Sequence, residues 1–488
     1  MQNSIPSQRL AGVLLHPTSL PNIDSLGTLD EAAFRFIDFL DECGVGLWQV
    51  LPLNPTDQSL SPYSASSAFA GNTRLISRKH LVSSGFISEE DVSRKLSDAL
   101  SIAFDKFSSS AAAHLRSAFD QFCETNHDWL EDFALYSTIK TTQNQVHWVD
   151  WPEALRKRDA HALGEFKDAY RDEIQQVRFE QFVFFQQWQA VHQYANSKNI
   201  AIFGDMPIFV AHDSADVWAN QSLFKLNDDG QPSVVAGVPP DYFSEDGQRW
   251  GNPLYNWSAM ADSNFAWWLK RMRHTWTVVD YIRIDHFRGF DACWQIPVEE
   301  ETAKKGVWEK VPGEALFHQL FSELGNLPLV AEDLGIITPE VDRLRRVFGI
   351  PGMKVLQFAF DGGSRNPYLP HNHEKNSVAF SGTHDNDTTL GWFNALESQQ
   401  KKYVRQYLGQ SNEIMPWPIV SATLASVATW AIVPFQDVLC LDHAGRMNTP
   451  GTTKGNWQFQ FRWDQLEDKH VEYLRTRLKL YGRHKSET

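Results

Sequence analysis

Three acidic residues each end a short apolar run: Asp285 closes VVDYIRID, Glu332 closes LPLVAE and Asp385 closes VAFSGTHD. Apolar runs of this length read as buried parallel strands. In a β/α barrel, the residue at a strand's C-terminal end faces the mouth where chemistry is done. Three carboxylates from separated parts of the chain are therefore expected to converge on one cleft. Two carboxylates are the minimum equipment for cleaving a glycosidic bond, one as nucleophile and one as acid/base. A third would hold a sugar hydroxyl.

The neighbours of each carboxylate suggest a division of labour. In RIDHFRGF (283–290), Arg283 lies two residues before Asp285 on the same face. It could hold the carboxyl ionised, as a nucleophile requires, or simply form a structural ion pair with it. His286 could donate to a sugar hydroxyl. In AEDLG (331–335), the apolar strand before Glu332 should raise its pKa, as a general acid requires. Asp333 falls on the opposite face and could brace the next turn. In SGTHDNDTT (381–389), His384 and Asp385 suit two hydroxyls of one sugar, while HDND lacks the regular spacing of a metal site. GDMPIFVAHDSADVW (204–218) offers Asp205 at a strand mouth and Asp213 a few residues on; either could touch substrate, and Asp213 or Ser214 could instead cap a helix. Aromatics beside Gly and Pro in SPYSASSAFAGN (61–72) and GVPPDYFSEDGQRWGNPLYNW (237–257) read as a lid or platform: Tyr63, Tyr242, Phe243 and Trp250.

Eight strand candidates supply the positions: 11–16, 46–53, 200–210, 278–287, 327–333, 352–360, 377–385 and 430–439. Helical patterns fall between most of them. Residues 28–44 open with Thr28 and Glu31 in capping-box spacing, 338–349 carry a Thr cap and an initial Pro, and 464–480 form a last helix. Strands alternating with helices predict an α/β fold, a (β/α)₈ barrel over residues 1–488, with long insertions at the C-terminal face of the strands. Residues 54–177, with helical stretches at 111–140 and 162–177, form a mostly helical insertion after the second strand. Residues 211–262 form a loop-rich insertion after the third, and 361–376 look like loop.

Composition excludes several classes. Among 488 residues, 45 Lys and Arg face 60 Asp and Glu, a net charge of −15 that disfavours nucleic acid and anionic membranes as partners. Four scattered cysteines without a CxxC pair read as free thiols in a reducing compartment. MQNSIPSQRL lacks the character of a signal peptide, and no apolar stretch is long enough to span a membrane. A cytoplasmic location is the expectation, with neither metal nor cofactor. The oligomeric state stays open between monomer and weak dimer. Most of the 18 Trp, 32 Phe and 12 Tyr must be core, yet such richness is what a sugar-binding cleft would draw on, because aromatic faces stack on pyranose rings.

The segments HPTSLP (16–21), SPYSASSAFAGN, GDMPIFV with DSADVW, GVPPDYFS with GQRWGNPLYNW, RIDHFRGF, AEDLG with ITPEV, PGMKVLQFAF, GTHDNDT, RMNTPG and GNW occur in order from residue 16 to 457. Together they resemble glycoside hydrolase family 77, the 4-α-glucanotransferases of the α-amylase clan. The resemblance implies Asp285 as nucleophile, Glu332 as general acid/base and Asp385 as the carboxylate that stabilises the transition state. It implies Arg283 and His384 as their direct partners, Asp205 and Asp213 lining the cleft, Tyr63, Tyr242, Phe243 and Trp250 around the substrate, and Asn456 as a sugar contact. The substrates it implies are maltooligosaccharides and α-1,4-glucans. It also implies that the extra N-terminal module of many bacterial relatives is missing. Other readings of the same carboxylates are an amylase-like hydrolase, a glucan-binding protein on a degenerate barrel, and a barrel hydrolase using a divalent metal.

Overall fold

The computed structural model describes residues 4–22, 26–240 and 244–485. Eight parallel strands close into a barrel: β1 (Leu10–Leu14), β2 (Leu47–Gln49), β3 (Ala201–Met206), β4 (Tyr281–Ile284), β5 (Leu329–Ala331), β6 (Gly352–Val355), β7 (Ser377–Phe380) and β8 (Trp430–Pro434). Each strand pairs with its chain neighbours, and β1 closes the ring against β8. Each of the eight apolar runs overlaps one barrel strand, β1 beginning one residue ahead of its run, and each strand is shorter than its run. The reasons are local. Pro207 removes the next ladder donor after β3, Pro434 ends β8 as a last residue without a donor, and the chain turns into short helical segments at Leu356–Phe358 and Phe435–Val438. Apolar residues past several strands, such as Leu15, Val50, Leu51 and Phe209, are buried outside the sheet.

Inward-facing Leu47, Phe203, Val330, Met353, Val378, Phe380, Trp430 and Ile432 fill the barrel. Gly12 in β1 leaves room for this packing, since a Cβ there would lie 2.5 Å from Ile432 Cδ1. Outward-facing residues such as Val13, Trp48, Ile282 and Ile284 pack against the helices. Helix Glu31–Cys43 starts later than its capping-box pattern suggests. Asp30, not Thr28, caps it by accepting from the Ala32 N–H, and Thr28 instead accepts from Asn22 Nδ2 at 3.0 Å.

Between β2 and β3 the chain forms helices Leu96–Ser110, Ala113–Thr125, His127–Thr142, Ala160–Ala169 and Arg171–Ser197. The helical stretches read at 111–140 and 162–177 are each two helices, broken at Asn126 and Tyr170. The segment after β3 is more ordered than its Gly and Pro content suggests. Val234–Val238 and Gln248–Pro253 join Ala292–Pro297 and Val307–Lys310, from the β4–β5 connection, in an antiparallel sheet. Residues 361–376 hold only the short turn Pro370–Asn372 among named elements. Among the described residues, no helix is long and apolar enough to cross a membrane. The four cysteines are unpaired.

The segment 61–72 is fixed from below by this helical layer. Gln181 clamps Gly71 from both sides, accepting from its N–H at 2.7 Å and donating to its carbonyl at 3.0 Å. A Cβ on Gly71 would meet the Phe184 ring at 1.9 Å, and Phe184 is fully buried. Gly71→Ala should therefore lower unfolding stability by about 1–3 kcal/mol through overpacking. Gly164 lies within helix Ala160–Ala169, where an added Cβ meets nothing within 4 Å. Gly164→Ala should raise stability by about 0.5–1 kcal/mol. Urea denaturation of the two variants checks both signs.

Candidate active site

Strands β4 and β5 are in register with Arg283 opposite Val330 and Ile284 opposite Ala331. The next residues are Asp285 and Glu332, so their backbones leave the sheet side by side, where adjacent strands are about 4.8 Å apart. Backbone bonds hold both in place: Asp285 N–H donates to the Met206 carbonyl at 3.0 Å and Glu332 N–H to the Ile284 carbonyl at 2.9 Å. His286 then turns into the left-handed region at φ 51°. This directs its N–H onto Glu332 Oε2 at 2.8 Å, while the Leu334 N–H reaches Oε1 at 2.8 Å. Those two donors favour the charged carboxylate, as does nearby Arg283. Burial and the charge of Asp285 outweigh them and push Glu332 up to about 7.

Arg283 is 3% exposed and aligned in register with Asp205 on β3. Its guanidinium donates to Asp285 Oδ1 at 2.9 Å and to Asp205 Oδ2 at 2.5 Å. The same Asp205 oxygen accepts the Tyr63 hydroxyl at 2.7 Å. Burial and Asp285 raise the Asp205 pKa against the pull of Arg283 and Tyr63. Asp205 thus sits beneath the guanidinium as its counter-charge, with its side chain fully enclosed.

Asp385 stands beyond β7, in a turn held by Thr383 N–H and hydroxyl on Asn386 Oδ1, both at 2.9 Å. Asn448 donates to Asp385 Oδ1 at 2.6 Å, His384 Nε2 lies 3.3 Å from Oδ2, and Arg446 donates to the Asp385 carbonyl at 2.8 Å. Its surroundings would raise its pKa by desolvation, but His384, Asn448 and Arg283 together hold it far below the ordinary carboxylate range. His384 is buried, which alone would lower its pKa, yet the adjacent Asp385 raises it. Tyr63 stacks on the His384 ring at 5.2 Å and 17°, and Trp457 packs beside both. Asp385 itself keeps 46% of its side chain exposed, so its oxygens open onto the cleft.

Asp285, Glu332, Asp385, Arg283, His384, Tyr63 and Asp205 are therefore brought together. Trp250 stands close by, edge-on to His286 at 4.8 Å and 39% exposed. The His286 ring is pushed down to about 4, chiefly by burial. Tyr242 and Phe243 lie outside the described residues. Asp213 makes its bonds with the helical insertion, accepting from the Tyr136 hydroxyl at 2.7 Å and pairing with Lys140. Ser214, not Asp213, caps helix Ala215–Ala219. Asn456 is used within its own loop, accepting from the Thr449 N–H at 3.0 Å and donating to the Thr452 carbonyl at 2.9 Å. Asp333 faces away from the mouth and accepts from the Met353 N–H at 2.7 Å, bracing β6. Among the described residues, no group of three or more His, Cys, Asp or Glu side chains is arranged to hold a metal ion.

Asn448, Arg446 and Trp457 lie in RMNTPG and GNW, segments that carry the family resemblance, yet their pattern assigns them no role of their own. They follow no apolar run and come from an irregular stretch near the end of the chain, so strand-end logic could not find them. It also passed over Asp437. This fully buried carboxylate receives the Ser381 hydroxyl at 2.7 Å and the Thr389 N–H at 2.7 Å, and so fixes both ends of the turn that presents Asp385.

Comparison with known proteins agrees with this geometry. The model of glycoside hydrolase family 77, 4-α-glucanotransferase, matches residues 15–466. A 4-α-glucanotransferase of Synechocystis sp. is 45% identical over 497 residues, covering 98% of each chain. One from Thermus thermophilus is 45% identical over 487 residues, covering 96% of this chain and 97% of its own. Among solved structures, the amylomaltase of Streptococcus agalactiae in complex with acarbose matches with a TM-score of 0.95 at 37% identity, covering 98% of this chain and 100% of its own. With a family match over nearly all of its length and relatives at this identity, the chain belongs to glycoside hydrolase family 77, the 4-α-glucanotransferases.

Proposed function

We propose that the protein moves α-1,4-glucan segments from a donor maltooligosaccharide to the 4-hydroxyl of an acceptor glucan or glucose, with retention, through a covalent glucosyl-enzyme. The observation that carries this reading is the unlike treatment of two adjacent carboxyls. Asp285 is hydrogen-bonded by a buried guanidinium, while Glu332 is pushed up to about 7 by burial and by Asp285 itself. One is prepared to attack and the other to donate a proton.

Glu332 protonates the glycosidic oxygen as Asp285 attacks the anomeric carbon, and the reducing-end fragment leaves. The bond now joins Asp285 to the sugar, so the negative charge that raised the Glu332 pKa is gone. Glu332, left as a carboxylate, then accepts the proton of an incoming 4-hydroxyl, whose oxygen displaces Asp285. Asp385 and His384 hold hydroxyls of the sugar undergoing reaction, and those bonds tighten as the ring flattens. Arg283 and Asp205 position the nucleophile. Trp250 and Tyr63 offer aromatic faces for sugar, and exclusion of water by such a rim favours transfer over hydrolysis. Asp213 and Asn456 act one step removed on this reading, by holding the segments that border the cleft. The unpaired cysteines favour work in a reducing compartment, the cytoplasm.

Maltotriose separates transfer from hydrolysis directly. A transferase produces glucose together with a ladder of longer maltooligosaccharides, and a product set containing only shorter sugars would overturn the proposal. Asp285→Asn should lower kcat on maltotriose by roughly 10⁴-fold or more while the far-UV circular dichroism spectrum stays that of the wild type. Glu332→Gln should be comparably impaired on maltotriose but recover much of its first step on α-maltosyl fluoride, whose leaving group needs no proton.

The pH dependence follows from the direction of the Glu332 shift. Its acid form, needed for the first step, prevails below about 7, so kcat/KM should fall as pH rises through that value. Because the charge of Asp285 contributes to the elevation, Asp285→Asn should lower the Glu332 pKa, while burial keeps it above the usual glutamate value. Carboxyl ¹³C NMR of the two proteins reads this; an unmoved Glu332 resonance would show that the two groups are not electrostatically linked.

A further inference from the structure

We infer that Trp308 and Ile336 form a sugar-binding platform beside the cleft, taking a glucosyl residue of the substrate chain remote from the bond being broken. The inference rests on the proposed function and adds to it a binding position outside the reacting centre.

The starting point is Arg288, three residues beyond Asp285 in the short helical turn Phe287–Phe290. Its guanidinium lies 3.9 Å from the centroid of the Trp308 ring and donates to the carbonyl of Ile336. Ile336 is four residues beyond Glu332. The turns that leave the two reacting carboxyls thus meet at one guanidinium, which lies on the Trp308 indole. Trp308 belongs to the outer strand Val307–Lys310 of the antiparallel sheet, and Trp294 supports it edge-on at 5.1 Å. With Arg288 over the ring and Trp294 at its edge, the side chain is held, yet Trp308 remains 40% exposed and Ile336 66% exposed.

An isolated exposed apolar residue needs no explanation, but two joined through one arginine three residues beyond Asp285 form a surface. Its chemistry suits a pyranose. The C–H face of the sugar stacks on the indole and on the Ile336 side chain, and rim hydroxyls find guanidinium N–H donors. The cation–π contact fixes the ring before any ligand arrives, so little side-chain freedom is lost on binding. Binding energy collected here comes from a part of the substrate that does not react, and only a chain long enough to span from the carboxyls to the platform can supply it. Trp250 stands on the opposite edge strand of the same sheet and already packs on His286, so the sheet carries an exposed indole at each edge.

The test compares wild type, Trp308→Ala and Trp308→Phe in transfer from maltotriose and from maltoheptaose. Trp308→Ala should lower kcat/KM about five- to twentyfold with maltoheptaose, through KM, and change it by less than about twofold with maltotriose. Trp308→Phe, which keeps an aromatic face, should recover most of the loss. Equal losses on both substrates would assign Trp308 to holding Arg288 and the sheet edge, and would overturn the platform; so would no loss on either. Failure of the wild type to build a ladder from maltotriose would sink the proposed function instead. Binding is then read separately, by quenching of indole emission on adding maltoheptaose to Asp285→Asn. Quenching lost in Asp285→Asn/Trp308→Phe supports the platform, and quenching unchanged in that double variant removes it.

Discussion

A guanidinium shut away from water between two carboxylates is the constraint on which this site depends. Arg283, 3% exposed, reaches Asp205 on one side and Asp285 on the other. Removing such a cation from water is costly, and its partners must repay that cost where they stand. Asp205 is held by the register of β3 against β4, and Asp285 by the first turn beyond β4. The barrel's hydrogen-bond ladder therefore fixes the Asp285 carboxyl through an ion triad, while the Met206 carbonyl holds its backbone. The triad extends in both directions. Tyr63 carries it from Asp205 to His384 and thence to Asp385, and the backbone of His286 carries it from Asp285 to Glu332.

Along that line, groups of one chemical type are driven to opposite ends of their range. Glu332 rises to about 7 because burial and Asp285 outweigh two N–H donors and Arg283. Asp385 falls far below the usual range because His384, Asn448 and Arg283 outweigh desolvation. The rise has a consequence for folding. A carboxyl that binds its proton more tightly in the folded chain than in the unfolded one favours folding at low pH, and that contribution is lost as pH climbs from the ordinary value of 4.5 through about 7. Near neutrality the fold therefore carries Glu332 at some cost to its stability, a trade that marks functional sites more often than structural ones.

The barrel and its carboxylates were legible because both follow from one pattern, an apolar run ending in an acid. Asp285, Glu332 and Asp205 sit where strand geometry places them, whereas Asp385 lies five residues past β7 and owes its position to the turn that Asp437 and Asn386 hold. What escaped has no such periodicity. Asn448 and Arg446 reach Asp385 from an irregular segment more than sixty residues downstream, a proximity produced by the pairing of β7 with β8 rather than by local sequence. The antiparallel sheet was hidden because VVAGV and QRWGNP lack the alternation of a half-buried strand and carry the Gly and Pro of a loop. The Thr28 capping box matched its spacing yet lost to Asp30, because the chain enters the helix at Glu31.

The helical insertion belongs to this chemistry as much as the barrel does. Tyr63 supplies the joint between Asp205 and His384, and it sits on a segment with no regular secondary structure to hold it. Its position is imposed from outside: Asp216 accepts from the Ala68 N–H at 2.7 Å, His274 meets the Phe69 carbonyl at 2.8 Å, and Gln181 clamps Gly71. Each of these anchors is itself set by a helix packed on the barrel's flank, and Asp213 ties the insertion to the β3 exit through Tyr136 and Lys140. A change in that packing reaches the reacting centre through six or so residues of backbone, without touching a carboxylate. The strands decide which acids meet; the layer around them decides whether the aromatic ring that connects those acids stays in place.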